Sequence, residues 1–158
     1  MPTPPSFSIR AATARDEAAV LALVPRLRIF GPETFRPAEA LDAGEQRTLQ
    51  KFFSGAVAGA RLWVAEDAGT VVGMAYAERA GDYFTLENHG HLGILAVAEH
   101  AEGRGIGQAL LQTVEHWSRD EGFRFLSLNV FADNTRAINV YEKSAYRADF
   151  IRYVKQLR

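Results

Sequence analysis

The residues Val97-Ala98-Glu99-His100-Ala101-Glu102-Gly103-Arg104-Gly105-Ile106-Gly107-Gln108-Ala109-Leu110-Leu111 carry an apolar strand into an amphipathic helix through three alternating glycines. A helix that opens in this way leaves its first backbone N–H groups without carbonyl partners, at the positive end of the helix dipole. Such a turn suits phosphate oxygens, and glycine lets them come close to the main chain. The competing reading is a tight strand-to-helix connection with no ligand. Spacing separates the phosphate-binding motifs from one another. A P-loop needs Gly-Lys-Ser/Thr, and the chain has Gly107-Gln108-Ala109. A dinucleotide fingerprint needs a further glycine three places after the second, where Gln108 or Leu110 stands, depending on the pair counted.

Downstream, Leu126-Ser127-Leu128-Asn129-Val130-Phe131-Ala132-Asp133-Asn134-Thr135-Arg136-Ala137-Ile138-Asn139-Val140-Tyr141-Glu142-Lys143-Ser144-Ala145-Tyr146 reads as a strand followed by a helix that Asp133 or Asn134 caps. Positions 134, 138 and 141 share one helix face, so Asn134 and Tyr141 can look toward one groove. Together with Gly103-Arg104-Gly105-Ile106-Gly107 and the Ala109-Leu110-Leu111 that follows, this segment resembles the GNAT superfamily of N-acetyltransferases. That family's pyrophosphate loop reads Gln/Arg-x-x-Gly-x-Gly/Ala, and its later helix carries Asn-x-x-Ala-hydrophobic-x-x-Tyr ahead of Gly-Phe. The two motifs span residues 91–146 of this chain. Two departures stand out. Glu102 replaces the usual Gln or Arg, and a carboxylate there is expected to repel a pyrophosphate. Ala145-Tyr146 replaces Gly-Phe.

The resemblance implies an α/β GNAT fold, a central mixed sheet of roughly six to seven strands flanked by about four helices. Its fourth and fifth strands splay apart to admit the pantetheine arm of acetyl-CoA, with coenzyme A as the product. On this reading Leu95, Ala96 and Val97 pair with that arm, and Gly103, Arg104, Gly105, Ile106, Gly107 and Gln108 hold the pyrophosphate. Asn134 contacts the cofactor, and Tyr141 protonates the departing thiolate. An N–H near Leu95 would stabilise the oxyanion. Taken alone, a tyrosine at helical spacing is a core residue.

The flanking sequence agrees with an alternating α/β order. Phe7-Ser8-Ile9-Arg10 alternates as a short strand, and Thr13 with Asp16 caps a helix running to about Leu27 on a Val20, Leu23, Val24 and Leu27 stripe. Phe30-Gly31-Pro32-Glu33-Thr34-Phe35-Arg36-Pro37 is a loop, and a second helix is predicted from Ala38 to Val57. Strands at Arg61–Glu66 and Thr70–Glu78 flank the hairpin signal Asp67-Ala68-Gly69. After Ala80-Gly81-Asp82 an extended stretch is predicted from Tyr83 to Val97, with a bulge marked by Gly90 and Gly93. A helix with Ile106, Leu110, Val114 and Trp117 on one face runs from Gly105 to about Glu121 and stops at Gly122. A strand over Phe123–Phe131, a helix to Ser144 and one or two closing strands within Tyr146–Leu157 complete a β-α-α-β-β-β-α-β-α-β order.

Composition bounds the rest. A length of 158 residues is one compact domain, residues 1–158, with residues 1–6 as a loose arm. The 47% hydrophobic and 23% charged content is that of an ordinary globular chain. No membrane-spanning run or signal peptide is present, which predicts a cytoplasmic protein. A net charge of −1 gives no reason to seek nucleic acid or an anionic membrane. A homodimer is left open. Cysteine is absent, which removes thiolate metal sites and an acyl-cysteine intermediate.

An alkylammonium must lose a proton before it attacks a thioester. His91 stands where the family often places a carboxylate on its fourth strand, and an imidazole titrates near neutrality. Glu87, His89 and His91 share parity and would form one polar strand face. The alternative is that His91 satisfies a local hydrogen bond. Phe30, Phe35, Glu78, Glu87 and His89, with Asp82 beside them, are the candidate acceptor-site residues. Equally, the acids are a solvated face. The reading is direct transfer in a ternary complex to a primary amine of a small molecule. A protein N-terminal or lysine acceptor, and a non-catalytic acyl-CoA-binding module, are the alternatives.

Overall fold

The computed structural model describes residues 6–28 and 35–158. Phe30 and most of the 30–37 loop lie outside the described residues, as does nearly all of the N-terminal arm. Among the described residues five strands are formed: β1 (Phe7–Ala11), β2 (Arg61–Asp67), β3 (Thr70–Gly81), β4 (Asn88–Val97) and β5 (Leu126–Leu128). They lie in sheet order β1-β2-β3-β4-β5, antiparallel throughout except for the parallel β4–β5 pair. The helices are α1 (Glu17–Ala22), α2 (Pro25–Arg28), α3 (Ala38–Phe53), α4 (Ile106–Asp120) and α5 (Thr135–Lys143). None of them is long and apolar enough to cross a membrane.

Side-chain parity fixes the layers. A Cβ built on Gly73 in β3 would meet Ile106 Cγ2 at 3.0 Å and Leu110 Cδ1 at 3.2 Å, so this side of the sheet faces α4. Three residues on, Tyr76 points the other way, and its ring lies 6.1 Å from Phe52 of α3. Helix α4 therefore covers one face and α3 the other. The buried set Ile106, Leu110, Leu111, Val114 and Trp117 forms the α4 stripe, and Val64, Val72, Met74 and Tyr76 belong to the sheet's share of the core.

Several elements differ from the sequence expectation, each for a local reason. The helix predicted to run from Thr13 to Leu27 is broken. A single 3-10 turn over Ala14–Asp16 comes first, fixed by the Thr13 N–H donating to Asp16 Oδ2 at 2.7 Å. Pro25, which cannot donate to the preceding turn, then starts α2 as a separate piece. Arg10 grips the same Asp16 carboxylate at 2.8 and 2.9 Å and holds it well below the usual carboxylate range. Helix α3 stops at Phe53, short of Val57. The extended stretch does not begin at Tyr83. Asp82 accepts from the Phe84 and Thr85 N–H groups and closes a turn, so β4 begins only at Asn88.

The largest departures lie at the far edge of the sheet. The strand predicted over 123–131 is only three residues long, and no closing strand follows it, so the described residues form five strands where six to seven are expected. Tyr146 docks by donating its hydroxyl to Glu115 Oε1 at 3.0 Å. Beyond it Phe150, Ile151, Tyr153 and Leu157 are largely exposed. Their apolar pattern favours a strand, but extended backbone becomes a strand only where a neighbour supplies a ladder.

The β4–β5 contact depends on Gly90. A Cβ there would fall 2.1 Å from Ser118 Oγ and 3.1 Å from Leu126 Cδ1. Ser118 is buried, and its Oγ has no hydrogen-bond partner among the described residues. Gly90→Ala is expected to destabilise the fold by about 1–3 kcal/mol through overpacking. Adding Ser118→Ala should recover most of that loss in a thermal melt. An unchanged melting temperature in the single variant would show that β4 does not approach α4 this closely.

Candidate active site

Strands β4 and β5 are paired at only three positions, Gly90–Leu126, His91–Ser127 and Leu92–Leu128. Past Leu92 they separate. The register with β3 shifts at the same place, with Tyr76 opposite Ile94 and Ala77 opposite Leu92, which makes Gly93 the extra residue of a bulge. The bulge reverses parity. Gly90 and Leu92 face α4 before it, and Val97 faces α4 after it, 3.7 Å from where a Gly107 Cβ would sit. The edge of β4 from Gly93 to Val97 is left without a neighbouring strand, and it borders a cavity of about 320 Å³.

This cavity gathers residues distant in sequence. Leu95, Ala96 and Val97 line one wall, and Gly103, Gly105, Ile106 and Gly107 form its end. Gly105 is the N-cap of α4 at φ 80°, and Gly103 has φ 73°, conformations that a side chain would strain. Among the described residues, none of the N–H groups from Gly103 to Gln108 donates to a protein acceptor, whereas the next one, on Ala109, bonds to Gly105 O. A row of unpaired amides thus opens at the positive end of a 15-residue helix.

The α5 wall supplies Asn134 and Tyr141. The Asn134 side chain accepts from the Ala137 N–H at 3.1 Å and so caps α5, leaving its amide nitrogen for other partners. Burial raises the Tyr141 phenol above its ordinary value and keeps it protonated. Two expected loop residues turn elsewhere. Arg104 forms an ion pair with Asp67 at 2.7 Å and also reaches Ser6, and Gln108 accepts from Ser144 at 3.4 Å.

His91 and His89 do face one way, on the α3 side of the sheet, and Ser127 joins them. Ser127 Oγ lies 2.8 Å from His91 Nδ1 and 3.0 Å from His89 Nε2. A hydroxyl can accept from one imidazole while donating to the other. When His91 Nδ1–H donates to Ser127, His91 Nε2 keeps a free lone pair. Burial lowers the His91 pKa, opposed by Glu78, its cross-strand partner, and reinforced by His89. His89 is buried and stacked on Phe125 with ring centroids 4.5 Å apart.

The other acceptor candidates are dispersed. Glu78 accepts from the Tyr76 hydroxyl at 2.6 Å, Glu87 lies outside β4 and pairs with Arg124 at 3.2 Å, and Asp82 holds its own turn. Phe35 is exposed. The cavity is bordered by Glu102 with Arg26, Arg28 and Arg136, and on α3 by two further acids, Asp42 and Glu45, one turn apart. Asp42 pairs with Arg28 at 3.3 Å, and burial raises the Glu45 carboxyl above its usual range. Sequence reasoning passed over these acids. Their signal was two carboxylates on the same weak α3 stripe as Leu41 and Leu49. Ser127, set between two leucines of a strand read as buried, was the comparable signal in β5.

Comparison with known proteins bears on this geometry. Residues 27–146 match the model of the acetyltransferase (GNAT) family. A Bacillus subtilis protein described as an uncharacterized N-acetyltransferase, YdgE, is 41% identical over 59 residues, covering 37% of this chain and 38% of its own length. The chain thus matches well under half the length of that relative. A ribosomal-protein-alanine N-acetyltransferase from Brucella melitensis biovar Abortus 2308 superposes with a TM-score of 0.70 at 21% identity, over 96% of this chain and 99% of the other. The aminoglycoside N-acetyltransferase AAC(6')-Iy, solved with CoA, superposes with a TM-score of 0.70 at 18% identity, over 100% and 99%. With the splayed strands, the bulge and the open amide row all within the matched span, the chain belongs to the GNAT acetyltransferase family.

Proposed function

We propose that this protein is an N-acetyltransferase that moves the acetyl group of acetyl-CoA directly to a primary amine of a small molecule, within a ternary complex. The observation that carries the proposal is the run of unpaired N–H groups from Gly103 to Gln108, at the end of the cavity between β4 and β5. Amides so placed suit a diphosphate, and the unpaired β4 edge at Leu95–Val97 suits an amide-bearing arm. The residues present therefore fit the cofactor that the family uses. When bound, acetyl-CoA supplies the thioester whose acyl group is transferred.

The chain's own residues divide the remaining work. Gly103, Gly105, Ile106 and Gly107 bind, and Asn134 offers its side-chain amide from the opposite wall. Tyr141 holds its phenolic proton because burial disfavours the phenolate, which suits it to protonate a departing thiolate. His91, turned by Ser127 so that Nε2 is free, takes a proton from the incoming ammonium. Asp42 and Glu45 attract that cation before it loses its charge. With no cysteine in the chain, an acyl-thiol enzyme has no seat. Holding amine and thioester together supplies the main acceleration.

Calorimetry with coenzyme A should show saturable binding, and an amine panel read by free-thiol release should identify the acceptor. Absence of heat would end the reading, and release only with peptide amines would replace the small-molecule acceptor with a protein. Tyr141→Phe is expected to lower kcat by about 100-fold or more while coenzyme A still binds. An unchanged kcat would remove Tyr141 from the chemistry.

The pH profile tests the base. His91 is active when neutral, so kcat/KM should rise with pH through the His91 pKa. Burial moves that limb below the ordinary histidine value of about 6.5. The limb should vanish in His91→Ala and shift in Ser127→Ala. A profile unchanged in both variants would assign the base elsewhere.

A further inference from the structure

Glu102 stands in the glycine loop directly before Gly103, and a lone carboxylate there would repel a diphosphate. It is not alone. Its Oε2 accepts from Arg136 Nη1 at 2.8 Å, and its Oε1 accepts from Arg26 Nη2. Arg136 comes from α5 and Arg26 from α2, so the carboxylate bridges two elements that flank the glycine loop. Arg26 is the better fixed of the two. Its Nε also donates to Val97 O at 3.1 Å, tying α2 to the last residue of β4, and its Nη1 lies 4.0 Å from the exposed Glu99. All three bridging residues border the cavity that ends at Gly103, Gly105 and Gly107.

The charge balance of this bridge runs opposite to the expectation from Glu102 alone. Two guanidinium groups around one carboxylate leave the trio with one net positive charge. Guanidinium groups carry five N–H donors each, and the contacts described leave both arginines with donors to spare. Arg136 is 60% exposed, open to an incoming anion, whereas Arg26 is 19% exposed and cannot swing away without breaking its bond to β4. The arginine pairs also hold the Glu102 carboxyl below its usual range, Arg136 contributing the larger part, so the bridge is charged at neutral pH.

We propose that Glu102 is a positioning residue which holds Arg26 and Arg136 at the phosphate end of the cleft, and that these two arginines bind phosphate groups of coenzyme A. The assignment rests on the acetyl-CoA reading of the cleft. It makes the substitution at position 102 a rearrangement of positive charge. In place of a bare carboxylate, the loop presents two arginines brought from neighbouring helices and pinned by that acid. Guanidinium groups are suited to that task because their planar fork matches phosphate oxygens.

Coenzyme A binding to Glu102→Gln decides between the two signs. If Glu102 merely repels, removing its charge tightens binding. If it positions the arginines, the same change frees them and weakens binding, by about tenfold for the loss of charge-assisted contacts. Isothermal titration of wild type, Glu102→Gln, Arg136→Ala and the double variant should show weaker binding in each single variant. The double variant should lose less than the product of the two, because both act through one bridge. Arg136→Ala should also flatten the dependence of affinity on salt, and melting temperatures should stay near wild type since Arg136 lies at the surface.

Repeating the titration with dephospho-coenzyme A, which lacks the 3′-phosphate, locates the contact. An Arg136→Ala loss that persists assigns it to the diphosphate, and a loss that disappears assigns it to the 3′-phosphate. Equal or tighter binding by Glu102→Gln overturns the proposal while leaving the acetyl-CoA reading intact, as does full additivity. No heat from wild type overturns both.

Discussion

Strand β4 loses its neighbour after Leu92, and the functional geometry follows from that loss. An interior strand with both edges paired has no backbone groups to offer, and a buried unpaired edge is unfavourable unless something else satisfies it. Here three paired positions anchor β5 against β4, and the Gly93 bulge then turns the next segment. The gap is bordered by the start of α4 and by α5. The open edge of β4 and the open amides at the start of α4 border the same cavity. Tyr141 and Asn134 line it from the α5 side.

The electrostatics of the site are built from pairs that neutralise one another locally. Glu102 is matched by two arginines, Asp42 by Arg28, and Asp67 by Arg104. A chain with a net charge of −1 can therefore present arginines at the glycine-loop end and acidic residues on α3 within the same cavity. The His91–Ser127–His89 bridge follows a similar economy. One hydroxyl bridges two imidazoles across the β4–β5 contact.

Sequence patterns read well wherever a local rule dominates. Asp67-Ala68-Gly69 made its hairpin because Ala68 and Gly69 both take positive φ, as a two-residue turn demands. The glycine loop and α4 were legible because amphipathic periodicity and the glycine spacing agreed. Elsewhere the outcome depended on partners that one segment cannot reveal. Asp82 could cap its own turn or begin a strand, and only the pairing of Gly81 with Asn88 decides it. The tail after Tyr146 has strand-forming residues and no ladder. Glu102 looked like a repulsive intruder because its arginines lie 76 and 34 positions away in the chain. Asp42 and Glu45 are not legible from the apolar members of the α3 stripe, because only the folded cavity brings the two acids beside the glycine loop.

The most direct test of the account is a two-dimensional amide NMR titration of the protein with coenzyme A. If the main chain at the start of α4 holds the diphosphate, the largest shifts will appear at the N–H groups of Gly103, Gly105, Ile106 and Gly107, with smaller ones along Leu95–Val97. Saturable binding that leaves those four resonances in place and moves another surface would contradict it.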